Sequence, residues 1–137
     1  MTSTPDGVDR EHFRPSEPAP GLQTRYGIGG KRVILTASRL VARKGIDRTL
    51  EALALLLPRY PDLLYLIVGD GEQRQQLEQE SDRLGLQHAV KFAGLVPYED
   101  MPAHYALCEV VALPNRAAPG DEDGLQLVFL EANACGK

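Results

Sequence analysis

Two short apolar runs constrain this chain most: Val33-Ile34-Leu35-Thr36-Ala37 and Leu63-Leu64-Tyr65-Leu66-Ile67-Val68. A strand with one wet face alternates apolar and polar residues, whereas a run without alternation buries both faces. Covering both faces takes helices on either side of a sheet, and strands alternating with helices pair in parallel through crossovers. The segments that follow meet this demand. Ile46, Leu50, Leu53 and Leu57 share one helical face over Asp47 to about Leu57, and Pro58 and Pro61 end that helix. Glu72 to Leu84 reads as a polar helix with Leu77 and Leu84 inward, and Gly85 suits its C-terminal cap. Ala89–Ala93 and Glu109–Leu113 are expected as shorter strands on either side of a helix over Pro97–Leu107, begun at Tyr98-Glu99-Asp100. A polar loop, Asn115 to Asp123, then leads into a last helix from Gly124 to about Cys135.

The expected fold is therefore α/β: an open, doubly wound, Rossmann-like parallel sheet. A length of 137 residues fits one domain. The first thirty residues carry Pro5, Pro15, Pro18 and Pro20 with Gly7, Gly21, Gly27, Gly29 and Gly30, and read as a loop-like linker (1–30) entering a domain at 31–137. The sequence stops at Gly136-Lys137, where another strand would be due, so the domain is expected to be truncated with its fourth strand left at an open edge. A net charge of −4 argues against a broad electrostatic grip on nucleic acid or an anionic membrane. No apolar run reaches the roughly 20 residues of a membrane span, and Met1 to Asp9 lacks a basic-then-apolar signal. Cys108 and Cys135 sit in apolar surroundings and read as small core residues in a reducing, cytoplasmic setting.

In an open α/β sheet, ligands bind at the carboxyl ends of the strands. After the first strand comes Ser38-Arg39-Leu40-Val41-Ala42-Arg43-Lys44-Gly45, which places cations just before a helix N-terminus. Unpaired N–H groups and partial positive charge there favour a phosphate. Arg forks two phosphate oxygens, and Lys adds a mobile point charge. A solvated basic loop would look the same by charge alone. Near the other end, Asp123 and Glu131 stand eight positions apart, up to about 12 Å along a helix at roughly 1.5 Å per residue. That span is comparable to the distance from ribose to sugar in a nucleotide-sugar, and carboxylates accept well from paired hydroxyls. Read blandly, Asp123 is a helix N-cap and Glu131 a solvated helix residue.

Taken together, these elements resemble the C-terminal domain of the group 1 glycosyltransferases, which have a GT-B fold. Pro5-Asp6-Gly7-Val8-Asp9 with Phe13-Arg14-Pro15 is similar to that family's Pro-Asn-Gly-Val-Asp…Phe-x-Pro entry segment. Ser38-Arg39-Leu40…Lys44-Gly45 resembles its Gly-Arg-Leu…Lys-Gly loop, Val68-Gly69-Asp70-Gly71 its second-strand turn, and Gly94-Leu95-Val96-Pro97 its Gly-x-Val-Pro. Asp123 to Glu131 resembles the family's Glu-x7-Glu element, with Ala132-Asn133-Ala134-Cys135-Gly136-Lys137 following. The chain departs from the pattern with Asp123 for Glu, Leu125-Gln126 for Phe-Gly, Asp6 for Asn and Ser38 for Gly. The loop Asn115 to Glu122 resembles the exopolysaccharide-type branch.

The resemblance implies retaining glycosyl transfer from a nucleoside-diphosphate sugar to a saccharide or lipid-linked acceptor. It implies that Arg39 and Lys44 act on the donor diphosphate as the catalytic cations, and that Glu131 holds the ribose hydroxyls. Asp123 would approach the sugar, and backbone N–H groups near Gly124 and Leu125 would add phosphate contacts. No metal or other cofactor is implied. The acceptor would be met by an N-terminal domain absent from this sequence, leaving the isolated fragment inactive. Peripheral membrane contact of the full-length protein is compatible with a lipid-linked acceptor.

Other phosphate-binding patterns are missing: Gly-x-Gly-x-x-Gly does not follow the first strand, and no Gly-x4-Gly-Lys-Ser/Thr occurs. Asp121-Glu122-Asp123 and Asp70 with Glu72 read as solvated acidic turns in preference to a hard-cation site. His12 and His88 are placed in loops and His104 on a polar helix face, all without a role. Two alternatives stay open: another GT-B enzyme such as a sugar-nucleotide epimerase or phosphorylase, and a non-catalytic nucleotide-binding module.

Overall fold

The structure, a computed structural model, describes residues 9–113 and 127–137, with 127–130 described through their backbone. Strands β1 (Arg32–Ala37) and β2 (Leu63–Val68) pair in parallel over their full length, from Arg32 opposite Leu63 to Ala37 opposite Val68. Strand β3 (Val90–Gly94) lies against β2, and β4 (Val110–Val111) against β1, again in parallel. The order is β3-β2-β1-β4. Helices α1 (Pro20–Tyr26), α2 (Ile46–Leu56), α3 (Arg74–Arg83), α4 (Met101–Tyr105) and α5 (Leu127–Ala134) alternate with the strands, so the doubly wound α/β sheet is present.

Two cores explain why β1 and β2 carry no polar alternation. On one face, Val33, Leu35 and Ala37 of β1 and Leu64, Leu66 and Val68 of β2 pack with Phe13, Tyr26, Tyr105, Ala132 and Cys135. On the other, Tyr65 and Ile67 of β2 meet Ile46, Leu50 and Leu53 of α2, Leu77 of α3, and Leu40, Leu86, Ala89 and Val90. The face read on α2 is the one buried, and each such side chain withdrawn from water contributes about 1.5–3 kcal/mol. Thr36, the polar residue inside the apolar run of β1, is fully buried and satisfied. Its hydroxyl donates to the Ala112 carbonyl at 2.7 Å and accepts from the Tyr65 hydroxyl at 2.5 Å. Burial pushes the Tyr65 phenol up to about 12, keeping it a neutral donor.

The structure differs from the sequence reading in three places. Within the stretch read as loop-like, Pro20–Tyr26 is helical, and Phe13, Tyr26 and Ile28 enter the core. The helix expected over Pro97–Leu107 is a 3-10 turn, Tyr98–Asp100, followed by the five-residue α4. His104 is 2% exposed and lies in no polar face. Its Nδ1–H donates to the Asp100 carbonyl at 2.8 Å, so Nε2 accepts from the Tyr26 hydroxyl, also at 2.8 Å. This bond ties α1 to α4. Both cysteines are free and buried, as read, and burial raises the Cys108 thiol to about 11. Among the described residues no helix is long and apolar enough to cross a membrane.

Candidate functional site

The strand order places β4 beside β1 and opposite β2, so the connections leaving β1 and β4 part at their carboxyl ends. A crevice opens there. Ser38-Arg39-Leu40 leaves β1 and is pinned from the neighbouring turn: the Ser38 N–H donates to the Val68 carbonyl at 3.1 Å and the Leu40 N–H to the Asp70 carbonyl at 3.0 Å. The Gln73 N–H donates back to the Leu40 carbonyl at 2.9 Å. This close approach explains the Gly69-Asp70-Gly71 turn. A Cβ on Gly69 would lie 1.9 Å from the Ser38 oxygen, and one on Gly71 2.6 Å from the Leu40 oxygen.

The result is a cleft of about 280 Å³ above the strand ends. Ala37, Ser38 and Arg39 form one wall, Val68-Gly69-Asp70 the floor, Leu95 and Val96 the loop after β3, and Met101, Tyr105 and Glu131 the far side. Arg39 and Glu131, 92 positions apart in the sequence, thus meet in one cavity. Arg39 is exposed, while its backbone carbonyl is held by the Ser38 hydroxyl and the Val41 N–H, each at 3.1 Å. Lys44 ends the 3-10 turn Ala42–Lys44, just before Gly45 and the N-terminus of α2. It belongs to the same loop as Arg39 but is not among the residues lining the cleft. Asp123, Gly124 and Leu125 lie outside the described residues, as do Pro5 to Val8 and the start of the last helix.

Glu131 is partly buried, and its Oε1 accepts from the Tyr105 hydroxyl at 2.9 Å. Desolvation raises its carboxyl above the usual range, opposed by the Tyr105 bond and by His12. Desolvation and the adjacent Glu131 charge push the Tyr105 phenol upward, so it stays protonated and donates. His12, also unassigned from sequence, stacks on Tyr98 at 4.5 Å and donates from Nε2 to the Tyr98 carbonyl at 2.9 Å. Phe13 meets Tyr98 and Tyr105 edge-on at 5.3 and 6.0 Å. The entry segment therefore buttresses the Glu131 side of the cleft. In the sequence, Glu131, the Phe13-Arg14-Pro15 entry segment and the Gly-x-Val-Pro element pointed toward this wall, whereas no periodicity marks His12 or Tyr105.

Asp70 is not a spare cation ligand, because its Oδ1 accepts from the Gly71 N–H at 2.8 Å and Arg74 stands at 3.8 Å. A second cavity, about 310 Å³, lies between α2 and α3 and is lined by Asp47, Glu51 and Glu80 with Gln73 and Gln76. Three carboxylates give it the wrong sign for a phosphate. Of these two cavities among the described residues, the cleft at the strand ends has a cation on one wall and a hydroxyl-accepting carboxylate on the other.

Known proteins are similar to this chain in sequence and in fold. A GDP-mannose-dependent alpha-(1-6)-phosphatidylinositol monomannoside mannosyltransferase of Mycolicibacterium smegmatis is 42% identical over 135 residues, covering 96% of this chain and 35% of that protein. The protein of that name from Mycobacterium tuberculosis is 39% identical over the same length. The chain thus spans about 35% of the length of these relatives. Among solved structures, Anabaena Alr3699/HepE in complex with UDP-glucose superimposes with a TM-score of 0.77 at 32% identity, over 96% of this chain and 35% of that one. The C-terminal domain of a Francisella tularensis group 1 glycosyl transferase, LpcC, gives 0.71 at 26% identity, over 93% of this chain and 66% of that one. The family model described as glycosyl transferases group 1 matches residues 23–137, which take in every strand, the cleft and both of its facing charged groups. The chain belongs to the group 1 glycosyl transferases.

Proposed function

We propose that this chain is the donor-binding domain of a retaining glycosyltransferase acting on a nucleoside-diphosphate hexose. The observation that carries the reading is the meeting of Arg39 and Glu131 across one cleft at the carboxyl ends of β1 and β2. In this reading Arg39 grips the diphosphate, Lys44 adds charge at the mouth of α2, and Glu131 accepts the ribose hydroxyls. Asp123, with the N–H groups of Gly124 and Leu125, serves the sugar end. As the bond from the anomeric carbon to the diphosphate breaks, negative charge grows on the leaving phosphate, and Arg39 and Lys44 meet it. The charge is met by these two cations, so we propose that transfer needs no bound metal.

The mannosyltransferase relatives make GDP-mannose the first donor to test, ahead of UDP-glucose, and a lipid-linked saccharide the first acceptor. Acceptor contacts would come from the rest of a two-domain enzyme, so we propose that residues 1–137 alone bind donor without transferring it. The test is calorimetric titration with GDP, UDP and pyrophosphate. Arg39→Ala should weaken nucleoside diphosphate binding by about 1.5–3 kcal/mol, the cost of a lost charge-assisted contact, or roughly ten- to a hundredfold. Unchanged affinity in both Arg39→Ala and Lys44→Ala would overturn the phosphate assignment.

A further inference from the structure

We propose that Tyr105 is a positioning residue for Glu131: its buried hydroxyl clamps the carboxylate at the cleft wall so that it meets a ribose diol in one orientation. This rests on the donor-binding reading above. A glutamate carries three rotatable side-chain bonds, and fixing such a side chain only when the ligand arrives costs binding energy. Here the carboxylate is fixed beforehand. The Tyr105 ring is fully buried and held edge-on by Phe13 at 6.0 Å, so its hydroxyl has little freedom. That hydroxyl reaches Glu131 Oε1 at 2.9 Å and, facing a carboxylate, can only donate. Among the described residues Oε1 alone has a hydrogen-bonding protein partner, which leaves Oε2 and the remaining lone pairs for a ligand in the cleft that Glu131 lines.

Tyr105 also bears on ionisation, because a ribose hydroxyl needs an acceptor and a protonated carboxyl would spend one oxygen as a donor. Burial favours the protonated form of Glu131, and the Tyr105 bond opposes it. The groups facing Glu131 are Tyr105 from α4, Tyr98 from the turn before it, His12 from the entry segment, Cys135 just past the end of α5, and Arg39 and Asp70 from the other walls of the cleft. Of these, Tyr105 makes the direct hydrogen bond.

The experiment uses protein expressed from the complete open reading frame and titrates GDP, UDP and inorganic pyrophosphate from pH 4.5 to 8. Tyr105→Phe should weaken binding of the preferred nucleoside diphosphate about tenfold, leave pyrophosphate within twofold, and move the acid limb of nucleotide binding to higher pH. Glu131→Asp, which withdraws the carboxylate by one methylene, should give the same split without touching the aromatic core. Adding Tyr105→Phe to Glu131→Gln should cost nothing further, since the two act through one contact. Wild-type affinity and acid limb in both Tyr105→Phe and Glu131→Asp, with Glu131→Gln still damaging, would overturn the positioning role alone. A harmless Glu131→Gln would overturn the ribose assignment and the positioning role with it.

Discussion

Gly69→Ala places a methyl group where the structure has the Ser38 backbone. The added Cβ would sit 1.9 Å from the Ser38 carbonyl oxygen and 3.0 Å from its carbon, at a φ of +128° that L side chains rarely adopt. Relief needs the β1 and β2 exits to part by about 1 Å or more, since close-packed heavy atoms do not interpenetrate. That movement stretches two hydrogen bonds, Ser38 N–H to Val68 and Leu40 N–H to Asp70, now 3.1 and 3.0 Å. At about 0.5–1.5 kcal/mol each, with about 1–2 kcal/mol of backbone strain, the expected loss is about 2–5 kcal/mol. Domains of this kind hold about 5–15 kcal/mol in all, so the thermal midpoint should fall by about 10 °C or more. Arg39 rides on the displaced loop, so nucleoside diphosphate binding should fall even where the variant remains folded. Urea melts of Gly69→Ala and Gly29→Ala make the comparison, because a Cβ on Gly29 meets nothing within 4 Å. Gly29→Ala should stay within about 0.5 kcal/mol of the parent. If Gly69→Ala unfolds at the same urea concentration as Gly29→Ala, the close approach is not what the turn exists for.

Two further outcomes are expected. Tyr26→Phe removes the donor from the buried Nε2 of His104 and should cost about 1–3 kcal/mol in chemical denaturation; a cost under about 0.5 kcal/mol would show that the α1–α4 tie contributes nothing. The folded-state carboxyl of Glu131 is raised, so between the ordinary glutamate value and its own it keeps a proton the unfolded chain has lost, and stability falls as pH rises through that window. Glu131→Gln should erase this decline and melt higher than the parent at pH 7 but not at pH 4; parallel curves for the two proteins would contradict it.

The central strands could be read from sequence because burial on both faces leaves a run of apolar residues that few other structures produce. Helix α2 could be read because its buried Ile46, Leu50 and Leu53 keep helical spacing over about two turns. Helix α1 could not, and its own punctuation hid it. Pro20 stands at the first helical position, where a missing N–H costs nothing, and Gly27 closes the helix at a φ of 63°, so two residues that mark breaks elsewhere here mark its ends. In α4, five residues are too few for periodicity to choose a face, and the partner that buries His104 is 78 residues away. The same distance problem governs the cleft. Arg39 stood out through the residues around it, while Tyr105 and His12 gain meaning only when the chain folds them against Glu131.

The two cores differ in how much of the chain they require. Among the described residues, the core beneath α2 and α3 draws its buried side chains from residues 40 to 90, with Ile34 and Phe92 packed against it, whereas the other runs from Phe13 to Cys135. Short loops close at lower entropic cost than long ones, so the first can consolidate while the second still waits for both ends. During synthesis at about 5–20 residues per second, several seconds separate the emergence of Val90 from that of Cys135. One face of the sheet would then be sealed while the other still shows Leu35, Leu66 and Tyr105 to solvent. Glu131 stands beside the late face, so in the proposed reading the donor cleft takes shape only after the core beneath α2 and α3. Pulsed hydrogen exchange during refolding should find the Leu53 and Leu77 amides protected before those of Ala132 and Cys135, and the reverse order would place the nucleus on the cleft side.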